Sequence, residues 1–247
     1  MRDILSETEP DTEIMCLSEL KCDISDTITA DDFLTEHMLT ASTRDMYITD
    51  SCERIRMATR NQESGTATVM KPDIFKTSKT ADVQNERLTL QKIENESVNL
   101  LIGAVYMPTD GDQQKYQQMC RTLITEVTKY RGTSEVVLIG DFNIQENHRQ
   151  IRKDMFNSMV NTLGLKVHQP KTYTNLSRNK NHTRTVLDYI LATPEVDVSE
   201  IEVYHPDRVP GNTSTHSPIF ATTRAKKYNN NKNNMILTTR ACHQGSS

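Results

Sequence analysis

Residues 136–145 read VVLIGDFNIQ. A short apolar run closed by a glycine predicts a strand buried on both faces. Asp141 and Asn143 stand at the end of that run. Two positions apart on a strand, they share one face. They also reach the carboxyl edge of the sheet, where α/β proteins keep their sites. A carboxylate and an amide directed at one spot suit a hard cation or a phosphate. Gly-Asp and a following Asn are equally ordinary turn chemistry, so this stretch alone leaves both readings open. The pattern recurs along the chain. Glu19 comes at the end of EIMCLSEL, Tyr106 near the end of VNLLIGAVYMP, Asp188 lies within TVLDYILA, and His216 stands just ahead of SPIFATT. Singly, each is as well explained by a solvated charge or a loop residue. Together, in this order, they point to one shared site.

The elements that must position these residues can be read from hydrophobic period. MRDILSETEP offers a short amphipathic helix stopped by Pro10, and 13–20 a buried strand. The acidic stretch that follows, to about residue 45, reads as helix plus loop. GTATVMK (65–71), RLTLQKI (87–93), 98–108, 185–192 and 217–223 read as strands. In 112–130, Tyr116, Met119, Cys120, Leu123, Ile124 and Val127 recur at helical spacing. Residues 148–165 give a second helix, with Gly164 as its C-cap. From Arg224 the chain is Asn/Lys-rich and low in complexity, which predicts a folded domain over 1–224 and a disordered tail over 225–247.

The 247 residues allow one large α/β domain with an ample core. The net charge of −4 hides an asymmetry: residues 1–50 carry 3 Lys/Arg and 13 Asp/Glu, the remainder 26 and 20. Net charge therefore gives no argument for nucleic-acid binding, yet leaves room for a basic face. One basic run, KTYTNLSRNKNHTRT (171–185), carries Lys171, Arg178, Lys180 and Arg184 with no acid and leads into Asp188. It reads equally as a solvated loop or as a contact for a polyanion. The five cysteines are scattered, without zinc or redox spacing, as in reduced intracellular proteins. A polar N-terminus and the lack of a long apolar run predict no signal peptide and no membrane span. The expected location is nuclear or cytoplasmic, not secreted.

In this order the motifs resemble the endonuclease/exonuclease/phosphatase superfamily, with its deoxyribonuclease-I-like fold. PDTEIMCLSELK resembles the family's Pro-Asp-Ile-Leu-Gln-Glu-Thr-Lys block, GAVYMP its Tyr-x-Pro strand, and LIGDFN its Gly-Asp-Phe/Leu-Asn block. TRTVLDYIL resembles its Ile-Asp-Tyr-Ile-Leu block, and STHSPIF its Ser-Asp-His-x-Pro-Ile close. The resemblance runs from roughly residue 4 to 223. Its details are most similar to endonuclease domains of non-long-terminal-repeat retrotransposons, which accompany a reverse transcriptase, and to apurinic/apyrimidinic endonucleases.

The resemblance implies a four-layer, two-sheet α/β sandwich and a phosphodiester hydrolase that nicks DNA with Mg²⁺, or Mn²⁺ in its place. By the same resemblance Glu19 would hold the metal, Asp141 would accept the proton of the attacking water, and Asn143 would orient it. Tyr106 and His216 would stabilise the phosphate as charge grows, and Asp188 would fix the tautomer of His216. Arg178, Lys180 and Arg184 would contact substrate. Three departures stand out. The family's first strand, which carries an Asn, has no counterpart ahead of Met1. Ser18 replaces a Gln. Thr215 replaces the Asp of Ser-Asp-His, removing a charge from the metal site. These departures imply weakened or lost activity. They keep two alternatives open: a degenerate, non-catalytic domain, or a phosphoesterase for another substrate.

Overall fold

The computed structural model describes residues 14–18, 38–42, 66–70, 74, 77–81, 83, 85, 87–96, 98–109, 111–145, 149–176, 183–205, 215–225 and 236–243. Two adjoining apolar strands set its architecture. β6 (Asn99–Tyr106) and β7 (Glu135–Asp141) run parallel, with Ile102 opposite Val137. Alternation sends Leu101, Val105, Val136 and Leu138 to one face, and Leu100, Ile102, Ala104, Val137 and Ile139 to the other. Both faces are covered, which is why these stretches are apolar throughout instead of alternating with polar residues.

Helices cover the first face. α1 (Gln113–Thr128) starts at Asp112, whose Oδ1 accepts a hydrogen bond from the Lys115 amide at 2.9 Å. α2 (Gln150–Leu163) ends at Gly164, which takes the left-handed conformation (φ 60°) expected of a C-cap glycine. Tyr116, Met119, Leu123 and Val127 of α1 and Phe156, Met159 and Leu163 of α2 pack with Leu101, Val105 and Leu138. Burial of each such side chain stabilises the fold by roughly 1.5–3 kcal/mol.

The remaining strands complete two sheets. β4 (Ser78–Thr80), β5 (Leu88–Glu94), β8 (Lys166–His168) and β11 (Asp188–Ala192) join the central pair in a six-stranded sheet, ordered β4-β5-β6-β7-β11-β8. β1 (Ile14–Ser18), β2 (Met38–Ser42), β3 (Thr66–Met70), β12 (Val196–Val198), β13 (Glu202–Val203), β14 (Ile219–Ala225) and β15 (Ile236–His243) form the other sheet, ordered β12-β14-β15-β1-β3-β2 with β13 on β14. Ile14, Cys16, Met70, Ile219 and Ala221 from this sheet meet Ile102, Ala104, Ile139 and Ile190 of the first. The result is the expected two-sheet α/β sandwich. Its described layers are sheet, sheet and helices. The helix expected over MRDILSETEP lies outside the described residues.

Two expectations need correction. The stretch read as helix plus loop contains β2, an edge strand antiparallel to β3. The expected tail contains β15, which lies between β1, to which it is parallel, and β14, to which it is antiparallel. The Asn/Lys-rich stretch ahead of it dominates the composition and masks ILTTRACH, whose Ile, Leu and Thr suit a strand. A strand–helix–strand opening of the kind the resemblance implies would set its first strand parallel beside β1. In this sheet a parallel place beside β1 is held by β15.

Cys16 and Cys120 are free and buried. Burial pushes both thiols up, that of Cys120 to about 12, so they pack as small apolar groups and do not react. No helix among the described residues is long and apolar enough to cross a membrane.

Candidate active site

Strand parity decides which side chains reach the end of the sandwich. Tyr106 continues the series Leu100, Ile102, Ala104; Asp141 continues Val137, Ile139; Asp188 begins the series completed by Ile190 and Ala192. All three therefore leave the six-stranded sheet on the side of the second sheet. Register then aligns them. Tyr106 is opposite Asp141 between β6 and β7, and Asp188 is opposite Asp141 between β11 and β7. Three strands present a phenol and two carboxylates in one row, with neighbours about 4.8 Å apart across the strands. All three residues are buried.

His216 comes from the other sheet, just ahead of β14. Its Nδ1 lies 3.0 Å from Asp188 Oδ2. An ionised carboxylate only accepts, so Nδ1 carries the hydrogen. Nε2 is left facing Asp141 Oδ2 at 4.0 Å, too far for a hydrogen bond. The backbone of His216 is held by a short hairpin of β9 (Asn175–Leu176) and β10 (Arg184–Thr185). Asn175 bridges His216, the Leu176 amide donates to Thr215 O at 2.8 Å, and the Ser217 amide donates to Thr174 O at 2.7 Å. Thr174 Oγ1 in turn accepts from the amides of Leu187 (3.0 Å) and Asp188 (3.2 Å). The KTYTN motif thus locks the histidine to its carboxylate partner.

Asn143 is the one non-glycine residue with positive φ (46°) among the described residues, a conformation that Asn tolerates. Its amide NH₂ donates to Met107 O (2.8 Å) and Asp141 Oδ2 (2.9 Å), while its backbone N–H donates to Asp141 Oδ1 (2.8 Å). Both acceptors of the NH₂ are oxygens, so the amide orientation is fixed by chemistry. What remains for a ligand is the side-chain oxygen Asn143 Oδ1, an acceptor. It can orient a water molecule, which donates, and cannot bind an unprotonated phosphate oxygen.

Three consecutive carbonyls around this residue are each held by a buried side chain from a different element. Tyr116 Oη of α1 donates to Phe142 O (3.1 Å), Arg152 Nε of α2 to Asn143 O (3.1 Å), and Tyr189 Oη of β11 to Ile144 O (2.9 Å). Burial raises both phenol pKa values, that of Tyr189 to about 12, so both groups stay neutral donors. Arg152 also donates to Pro108 O and Thr109 O (3.2 Å) and lies 3.9 Å over the Tyr116 ring. The loops after β6 and β7 are thereby tied together.

The sequence reading missed Arg87 and Arg152. The Arg87 guanidinium lies 4.7 Å over the Tyr106 ring, and the Tyr106 amide donates to Arg87 O at 2.9 Å. Among the described residues, Arg87 Nη1 is buried with no hydrogen-bond partner. A buried guanidinium N–H beside the row is a place for an anionic oxygen. The available signal was a cation immediately before an apolar strand. Arg152 gave none, since a helical Arg reads as solvated.

Of the residues expected at the site, Tyr106, Asp141, Asn143, Asp188 and His216 converge. Glu19, Arg178 and Lys180 lie outside the described residues. Arg184 is exposed at the start of β10. Thr215 is half-buried, and its Oγ1 accepts from Asn175 Nδ2 at 3.2 Å. Among the described residues no three His, Cys, Asp or Glu side chains gather closely enough to hold a metal. Asp141 is bonded to Asn143 and Asp188 to His216.

Known structures share this arrangement of sheets. An endonuclease/exonuclease/phosphatase family protein from Leptotrichia buccalis C-1013-b superimposes with a TM-score of 0.62 at 16% identity, covering 90% of this chain and 91% of that one. The AP endonuclease LMAP from Leishmania major gives 0.60 at 14% identity, over 84% and 77%. The endonuclease domain of TRAS1, a telomere-specific non-LTR retrotransposon, gives 0.53 at 13%, over 83% and 95%. At such identities the likeness is one of fold. A search of curated protein sequences finds no match. The sequence itself matches the Endonuclease/Exonuclease/phosphatase family over residues 1–216, and the chain belongs to that family.

Proposed function

We propose that this protein is a phosphodiester hydrolase that nicks DNA. The observation that carries the reading is the Tyr106–Asp141–Asp188 row closed by His216 from the opposite sheet. In this scheme a water molecule donates one hydrogen bond to Asn143 Oδ1 and gives up its other proton to Asp141 as it attacks phosphorus. His216, its Nδ1–H held by Asp188, donates from Nε2–H in its doubly protonated form to a non-bridging oxygen as negative charge grows there. Tyr106 and the Arg87 Nη1–H face the same developing charge. Glu19 would hold Mg²⁺ or Mn²⁺, which when bound neutralises phosphate charge and stabilises the leaving oxygen. Arg178, Lys180 and Arg184 would meet the DNA backbone. The DNA-processing neighbours support this substrate over other phosphoesters.

One observation favours a second reading, a domain with its catalysis weakened. Thr215, in place of the family's Asp, offers a hydroxyl that is already bonded to Asn175 and brings no charge. The test is relaxation of supercoiled plasmid with and without Mg²⁺, using Asp141→Ala as blank. The expected result is weak, Mg²⁺-dependent nicking that disappears in the blank and rises in Thr215→Asp. Nicking that persists in Asp141→Ala would remove the role given to that carboxylate.

A further inference from the structure

We propose that Tyr173, His205 and Arg184 form a binding platform for one unpaired nucleotide beside the scissile phosphate; this rests on the nucleic-acid reading above. The rings of Tyr173 and His205 stack, with centroids 4.2 Å apart and planes at 25°. The Arg184 guanidinium lies 4.8 Å over the same tyrosine ring. Tyr173 thus contacts both an imidazole and a guanidinium through its ring. The imidazole is fixed at both edges, with Nδ1 3.2 Å from Ser217 Oγ and Nε2 3.4 Å from Thr172 Oγ1. The cluster therefore runs from a held imidazole to an exposed arginine.

Arg184 is the unusual member. It is exposed and makes no ion pair or hydrogen bond among the described residues, whereas Lys171 of the same basic run is paired with Glu200 at 2.7 Å. Contact with the Tyr173 ring restrains the guanidinium, and its exposure leaves it accessible to a ligand. A guanidinium presented in this way stacks on the face of a base and donates along its edge to phosphate oxygens. Within a duplex, bases cover one another's faces, so the occupant is an unpaired or splayed nucleotide.

Position ties the platform to the site. Tyr173 is two residues from Asn175, which bridges His216, a distance of about 7 Å along a strand. Arg184 is opposite Leu176, whose amide is bonded to Thr215 O. A nucleotide held on Arg184 would thus neighbour the phosphate facing His216, and the protein would favour substrates frayed or single-stranded next to the cut.

The experiment uses the full chain carrying Asp141→Ala, so that binding is read without cleavage. The probe is a short single-stranded oligodeoxynucleotide containing 2-aminopurine, whose fluorescence falls on stacking. A blunt duplex of the same sequence is the comparison. The single strand should bind more tightly than the duplex and be quenched. Arg184→Lys, which keeps the charge and loses the plane, and Tyr173→Leu should each lose the quench and bind roughly five- to a hundredfold more weakly. Unchanged affinity and quench in both variants would overturn the platform, and would leave the nuclease reading standing if the parent chain nicks plasmid. A quench that depends on Arg184 in a protein that never nicks would uphold the platform and remove the nuclease reading. Binding of neither oligonucleotide would overturn both.

Discussion

Gly140 immediately precedes Asp141, and replacing it with alanine should cost a large share of the protein's stability. Its φ is +149°, and a Cβ there would stand 1.9 Å from the carbonyl oxygen of Val105 and 2.8 Å from the carbonyl carbon. Ordinary contact begins at 3.4 Å, so β6 and β7 would have to part by 3.4 − 1.9, or about 1.5 Å. That stretches adjacent ladder hydrogen bonds of about 2.9 Å well past bonding range. The Met107 amide to Asp141 O bond, 2.8 Å, is next in line. Losing two buried backbone bonds costs about 1–3 kcal/mol each, and the positive φ adds about 1–2 kcal/mol. A total of about 3–8 kcal/mol lies at the extreme of single substitutions and takes a large share of a typical 5–15 kcal/mol. With a urea m-value of about 2 kcal/mol/M, the unfolding midpoint should drop by about 1.5–4 M. The same separation would pull Asp141 out of line with Tyr106, so Gly140→Ala should not nick even where it is folded. A midpoint within about 0.3 M of the parent would refute the argument.

Other outcomes follow from the same geometry. Arg152→Met should lower stability by about 3 kcal/mol or more, read by urea unfolding, because the buried carbonyls of Asn143 and Pro108 and the part-buried one of Thr109 lose their donor. Asp188→Asn should slow nicking at least about a hundredfold, and the ring ¹⁵N shifts of His216 should report a changed tautomer population. Ending the chain at Ala225 should abolish cooperative unfolding, since β1 and β14 would lose the strand between them. Tyr189 has its phenol raised from 10.0 to about 12, so its contribution is complete below pH 10 and lost as pH rises through about 12; alkaline titration followed at 295 nm should show its ionisation only in that window or with unfolding.

The strands that carry the site were legible because burial on both faces leaves an unbroken apolar run. VNLLIGAVY and EVVLIGD gave β6 and β7 almost to the residue, and the helical periods gave α1 and α2. The polar residues at their ends were legible for the same reason: a charge that closes such a run stands out. Pairing was not. That Asp188 falls opposite Asp141, and that His216 reaches across from another sheet, depends on register between segments far apart in sequence. Short strands such as β2, β12 and β13 were missed because two to five residues on a sheet edge carry too little period to read. Arg87 and Arg152 escaped because an arginine looks the same in sequence whether it is solvated or binds buried carbonyls.

The place of β15 governs when this molecule can become whole. Ile14 pairs with Thr239, a separation of 225 positions, and the register continues to Ser18 opposite His243. A growing chain holds β1 long before β15 and cannot close the sheet beside it until residue 243 has emerged. Contacts of such sequence separation make folding slow and leave early intermediates with an open strand edge. The strands and two helices of the six-stranded sheet, residues 78–192, are all made before β14 and β15, but the face that carries Leu100, Ile102, Ile139 and Ile190 stays uncovered until the second sheet packs on it. Tyr106, Asp141, Asn143 and Asp188 therefore wait for His216 and for the strands that bring it, so the candidate site is completed late in folding.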